Sequence, residues 1–270
     1  MTMQESTWNR RRFLKTAGTA AVGAGVAVKD FGQPPATVYI AVDPADAVAA
    51  TRPAAWAIEQ LAQALQARGV AVTRVANPRE ATAGSVCIVV AGAESESACA
   101  MLRQAGVSVP AAPEALAIVN QHDGGKRTIL ACGRDARGLV YALTDLADTA
   151  ENTPDPIAAL AALETTTEQP HNQVRGITRL FTSNVEDKPW YNDRNFWPAY
   201  FDMLAAQRFN RFNLAFGIGY DFLRGVTDAY FLFTYPFLLK VPGYNVCVPQ
   251  LPDEERDSNL AMLQYIARQC

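Results

Sequence analysis

The residues best suited to chemistry fall in one stretch, 174–219, which reads VRGITRLFTSNVEDKPWYNDRNFWPAYFDMLAAQRFNRFNLAFGIG. Trp190 and Tyr191 lie in a loop rich in Asp and Asn, and rings of this kind pack well on the C–H faces of pyranose sugars, which makes both candidate substrate-binding residues. Trp197 falls at an apolar helical position, where filling a helix–sheet layer is its expected role. Glu186 and Asp187 are the carboxylates of the same loop; hydrolysis of a glycosidic bond needs two carboxyl groups facing each other across it. Metal chemistry has little to draw on. The 270 residues include two histidines, His122 and His171, and five scattered cysteines with no C-x-x-C pair, so neither a metal site nor a cofactor is expected. Cys87 and Cys132 sit inside apolar runs (VCIVV and ILACG) and read as buried free thiols.

The elements around these residues have a simple order. Residues 174–181 read as a strand, 182–193 as a loop, 195–209 as a helix with Phe196, Trp197, Tyr200, Phe201, Met203 and Leu204 on its apolar positions, and 212–217 as a second strand. Asn192 or Asp193 is placed to cap the helix, and Pro198 lies in its first turn, where proline is tolerated. A βαβ order requires parallel strands. In a (β/α) barrel the loops after the strands carry the site, and here these are 182–193 and 218 to about 252. The strongly aromatic part of the second loop is too short to cross a bilayer. A further helix begins at Asp253, with Glu254 and Glu255 suited to its positive end.

Residues 35–149 read as a separate α/β domain. Strands are expected at 37–42, 70–75, 85–91, 114–120 and 127–132, and helices at 52–68, 95–105 and 135–147, in the order βαββαββα. The continuous apolar run at 85–91 suits a central strand buried on both faces. Asp123-Gly124 between two apolar runs signals a hairpin, and His122 beside it reads as a solvated turn residue. Residues 150–172, with Pro154, Pro156 and Pro170, read as a linker whose stretch 157–163 is extended. Residues 1–34 read as an export signal: NRRRFLK, with Arg10 and Arg11, precedes a short Ala/Gly-rich apolar stretch, resembling a twin-arginine signal with Asn9 where Ser or Thr is usual. The translocation machinery is then a partner, the destination is periplasmic or extracellular, and contact with a membrane runs through that segment alone. A net charge of −3 gives no basic footprint, so nucleic acid is not an expected partner.

The segment Gly133-Arg134-Asp135-Ala136-Arg137-Gly138-Leu139-Val140-Tyr141-Ala142-Leu143, after a strand–hairpin–strand, resembles the closing part of the small domain that precedes the catalytic barrel in family 20 β-hexosaminidases and in α-glucuronidases. Gly133 permits a sharp strand-to-helix turn, Asp135 is placed to cap the helix, and Gly138 lets the helix approach the sheet. The same families resemble the stretch at 174–217: a strand opening on Arg-Gly, a loop, a helix ending in R-F-N, then a second strand. The resemblance implies that residues 173–270 begin a (β/α)8 barrel and that Arg175 matches an arginine binding sugar hydroxyls, for which its planar fork is suited. It also implies that catalytic carboxylates come from later barrel strands, so Glu186 and Asp187 are assigned no catalytic role. The fold class is therefore α/β, an accessory sandwich followed by the first βα units of an incomplete barrel. The expected function is that of an exported glycoside hydrolase acting on oligo- or polysaccharides, catalytically incomplete in these 270 residues. The alternative is an exported, non-catalytic carbohydrate-binding or structural module.

Overall fold

The computed structural model describes residues 37–82, 84–123, 126–181, 186–216, 238–240, 242–244 and 251–270. The signal-like segment 1–34, Gly124 and Gly125, loop positions 182–185, most of the aromatic tail and Cys247 lie outside the described residues. The chain divides into two units, one ending at Gln173 and the other opening at Val174.

The first unit is a six-stranded sheet with helices on both faces. Its elements are β1 (Thr37–Val42), α1 (Arg52–Gln66), β2 (Ala71–Val75), β3 (Val86–Gly92), α2 (Glu96–Ala105), β4 (Leu116–Asp123), β5 (Lys126–Gly133), α3 (Ala136–Glu151), α4 (Pro156–Ala161) and β6 (Thr166–Glu168). The strand order is β2-β1-β3-β5-β4-β6. β2, β1, β3 and β5 are parallel, while β4 pairs antiparallel with both β5 and β6. Every residue of β3 is buried, as the apolar run predicts for a strand covered on both faces. Alternation then sorts the side chains. Val86, Ile88 and Val90 join a core with α1 and α3, whereas Cys87, Val89 and Ala91 join one with α2. Cys87 and Cys132 are buried free thiols. Burial pushes the Cys87 thiol above its usual pKa and, with smaller contributions from Asp46 and Cys99, pushes the Cys132 thiol up to about 12.

The turn into α3 is where the glycine motif acts. Asp135 caps the helix by accepting from Gly138 N at 2.9 Å, and its second oxygen accepts from Glu114 N at 2.8 Å. A Cβ on Gly138 would stand 2.1 Å from the Ala115 carbonyl oxygen, and one on Gly133 would stand 2.0 Å from Leu139 N. The helix therefore lies closer to the residues leading into β4 than any side chain permits. Leu139, Leu143 and Leu146 are fully buried along its inner face, each contributing about 2 kcal/mol.

Two sequence expectations change here. The stretch 157–163, expected to be extended, begins inside α4, because Asp155 accepts from Ala158 N at 3.0 Å and Pro156 occupies the first helical turn. Thr166, Thr167 and Glu168 of the ETTTEQP segment then form β6, which pairs with Leu116, Ala117 and Ile118 of β4. The supposed linker thus adds a helix and an edge strand to the first unit. Asn120 ties this addition down by donating to the carbonyls of Ala161 at 3.0 Å and Leu163 at 2.8 Å.

The second unit contains β7 (Gly176–Phe181), α5 (Lys188–Tyr191), α6 (Phe196–Ala206), β8 (Arg211–Phe216) and α7 (Asp253–Gln269). β7 and β8 pair in parallel, from Gly176 beside Arg211 to Phe181 beside Phe216. The short helix α5 occupies part of the expected loop. Neither Asn192 nor Asp193 caps α6: Asp193 instead turns the chain by accepting from Asn195 N at 2.8 Å. No helix among the described residues is long and apolar enough to cross a membrane.

Gly138→Ala is expected to destabilise the chain by about 3 kcal/mol despite the better helix propensity of alanine, because helix and strand must separate. A fall in the urea midpoint at constant slope checks this; a midpoint at or above that of the wild type would show that the close approach is dispensable.

Candidate functional site

In the second unit, alternation puts Ile177, Arg179 and Phe181 on one face of β7 and Thr178 and Leu180 on the other, where Leu180 is 40% exposed. Phe181 meets an aromatic layer formed with Tyr191, Trp197, Phe212 and Phe216, closed from the other side by Met262 and Ile266 of α7. Most of these rings meet edge to face: Phe181–Tyr191 centroids are 5.2 Å apart at 71°, and Trp197–Phe212 centroids 6.0 Å apart at 67°. Their polar atoms are satisfied inside the layer. Trp197 Nε1 donates to the Tyr191 carbonyl at 2.9 Å, and the Tyr191 hydroxyl donates to the Asn259 carbonyl at 2.8 Å. Burial pushes the Tyr191 phenol well above its usual pKa, so the hydroxyl stays a donor across the physiological range.

The sequence candidates occupy different places. Arg175 immediately precedes β7: its Nε donates to the Arg208 carbonyl at 2.6 Å, and its backbone N donates to Asn210 Oδ1 at 2.9 Å. The six residues of β7 separate it from the loop end of the strand, about 20 Å at the strand rise. Trp190 and Tyr191 lie beyond that other end, with ring centroids 6.3 Å apart. The structure therefore brings Trp190 and Tyr191 together and leaves Arg175 at the opposite end of the strand. Tyr191 is wholly buried and offers no ring face to a ligand. Trp190 is half-buried; its Nε1 donates to Asp187 Oδ1 at 2.8 Å, and the Arg179 guanidinium lies 4.0 Å from its ring centroid. Arg179 also lies 4.9 Å from the Phe196 ring and 5.5 Å from that of Tyr200. Its Nε is buried without a hydrogen-bond partner among the described residues, so contact with ring faces supports its charge there. Asp187 is committed to anchoring Trp190 within one turn, and Glu186 is exposed beside it.

A cleft that the sequence does not announce lies between α5 and α7. It has a volume of about 380 Å³, with Lys188, Asn192, Arg194, Glu255, Ser258 and Asn259 as its polar lining and Ala261 and Met262 as its apolar part. Lys188 Nζ and Glu255 Oε1 form an ion pair across it. Its two sides are more than sixty residues apart in sequence, which no local motif can express.

The first unit has the place where open α/β sheets usually bind ligands, the crevice between β1 and β3 at their C-terminal ends. That crevice is filled. Asp46 accepts from Gly92 N at 2.7 Å, Val48 N at 2.8 Å and Ala49 N at 3.0 Å, and a Cβ on Gly92 would stand 2.8 Å from Val48.

No protein-family model matches the chain, and no characterised protein matches it by sequence. Among solved structures it is similar to a GH138 enzyme targeting pectin rhamnogalacturonan II, with a TM-score of 0.57 and 18% identity over 86% of this chain and 29% of that one. CpGH84D is also similar, with a TM-score of 0.44 and 10% identity over 86% of this chain and 39% of that one. The chain thus spans less than a third of the length of the GH138 structure and shares its fold over that part. The fold is α/β, of the kind found in glycoside hydrolases.

Trp197→Ala is expected to cost about 4 kcal/mol, because it opens a cavity in the ring layer and frees the Tyr191 carbonyl. Glu255→Gln removes an ion pair that is about a third exposed, 27% and 33% for its two side chains, and is expected to cost less than about 1 kcal/mol. Denaturation followed by tryptophan fluorescence compares the two; equal losses would mean that the ring layer does not hold this unit.

Proposed function

We propose that the chain forms part of an exported glycoside hydrolase, supplying an α/β accessory domain and the first βα units of a (β/α) barrel. The observation that carries this reading is the fold likeness to the GH138 enzyme, which extends over 86% of this chain. The parallel β7–α6–β8 unit supports the barrel part of the reading, since successive parallel strands joined by helices are the repeating element of such barrels. The finer kinship with family 20 β-hexosaminidases and α-glucuronidases rests on the Gly133, Asp135 and Gly138 turn and on the Arg-Gly opening at Arg175. The ligand in this reading is an oligo- or polysaccharide. Trp190, partly exposed and packed against Arg179 and Phe181 near the loop end of β7, is the residue of the original three that the proposal assigns to meet a sugar. Arg175 and Tyr191 act through the backbone carbonyls of Arg208 and Asn259, holding the strand and the loop.

Residues 1–270 are expected to bind soluble polysaccharide without cleaving glycosides. Glu186 and Asp187 are sequence neighbours, and a facing pair across a glycosidic bond stands about 5 to 9.5 Å apart on opposite sides of it. Affinity electrophoresis in gels cast with different polysaccharides should show retardation in at least one gel, and 4-nitrophenyl glycosides should release no phenol. Migration unaffected by every polysaccharide would sink the carbohydrate reading, and phenol release would overturn the catalytic incompleteness.

Export through the twin-arginine route is the second part of the proposal, and Arg10 and Arg11 carry it. Fused to a reporter that matures only outside the cytoplasm, residues 1–34 should export it, and replacing both arginines by lysine should abolish export. Export that survives the double replacement would point to a different route.

A further inference from the structure

The α5–α7 cleft combines features that the packing of two helices does not require. Lys188 and Glu255 stand side by side as donor and acceptor. Arg194 is held in place: its guanidinium lies 4.9 Å over the Tyr265 ring, and the hydroxyl of the same tyrosine donates to the Arg194 carbonyl at 2.9 Å. Its guanidinium has no acidic partner among the described residues. Ser258 adds an exposed hydroxyl, and Met262 supplies a small apolar floor beneath these groups. A volume of about 380 Å³ lies at the small end of the range for ligand clefts, roughly 300 to 1,000 Å³.

We propose that this cleft is a binding subsite for one uncharged, polyhydroxylated ring, a pyranose unit without a carboxylate or phosphate group. The proposal rests on the carbohydrate reading above and names the chemistry of the unit bound. Each sugar hydroxyl is both donor and acceptor, and the adjacent Lys188 ammonium and Glu255 carboxylate offer one acceptor and one donor to two vicinal hydroxyls. Arg194, fixed before the ligand arrives, adds paired donors at low ordering cost. Met262 faces the C–H side of the ring. The charge balance selects against an anion. Glu255 pairs with Lys188, and around the first turns of α7 the four carboxylates Asp253, Glu254, Glu255 and Asp257 match the four cations Lys188, Arg194, Lys240 and Arg256 in number. No cationic excess is left to hold a carboxylate.

The test is an NMR titration of the full chain with methyl β-D-glucopyranoside and methyl β-D-galactopyranoside, and with sodium galacturonate and inorganic phosphate as charged counterparts. At least one neutral glycoside should bind, with a dissociation constant on the order of millimolar. Ser258→Ala and Arg194→Met should each weaken it by about tenfold while moving the thermal unfolding midpoint by no more than about 3 °C. Tighter binding of galacturonate or phosphate would overturn the proposal. So would glycoside binding indifferent to both substitutions, and so would an absence of glycoside binding. Polysaccharide retardation that persists in any of these cases leaves the carbohydrate reading standing and removes the subsite alone; loss of retardation as well removes both.

Discussion

Parallel pairing is the constraint on which both units depend. A parallel strand cannot be reached by a tight turn, so each such pair needs a connection that crosses from one end of the sheet to the other. In the first unit α1 makes that crossing between β1 and β2, and its inner face, with Leu61 and Leu65 fully buried, is the cover the sheet requires. In the second unit α6 makes it between β7 and β8, and Trp197 is the buried anchor. Where the first unit departs from parallel order, at β4, the β4–β5 hairpin lets α3 return along the same face. That return leaves so little space that Gly133 and Gly138 are needed where the chain turns and the helix passes Ala115.

The two units meet this constraint with different chemistry. The first buries small aliphatic side chains on both faces of a sheet, and its polar groups serve the backbone. Asp46, Asp135 and Asn120 each bond two or more main-chain groups, and those of Asp46 close the usual ligand crevice of an α/β sheet. The second unit buries rings, most of which meet edge to face. Its polar side chains gather at the edges of the ring layer. Arg179 lies against three rings, Asp187 holds Trp190, and Lys188 pairs with Glu255 across the cleft.

Much of the first unit was legible in the sequence because its signals are local. The unbroken apolar run of β3, the glycine after α2 and the Gly-x-Asp turn before α3 each specify an element within a few residues. The segment 150–172 was not, because β6 is a strand of three residues whose pairing depends on β4, nearly fifty residues earlier. An exposed strand this short carries no alternation that periodicity can detect.

The candidate site divides along the same line. Sequence by itself determined that the chain carries an α/β domain followed by a βαβ unit, that Cys87 and Cys132 are core thiols, and that aromatic and carboxylate residues crowd the loop after β7. These follow from residue type and spacing over one or two turns. Only the tertiary structure decided which of those residues face outward. Tyr191 and Trp190 are neighbours in one short helix, yet one is wholly enclosed between the ring layer and α7 and the other is only partly covered, because a helix turns its consecutive residues about 100° apart. Arg175 is drawn to a carbonyl thirty-three residues away at the far end of its strand, and Lys188 meets Glu255 across sixty-seven residues. Contacts of that range are set by how the layers close on one another, and chain order alone does not contain them.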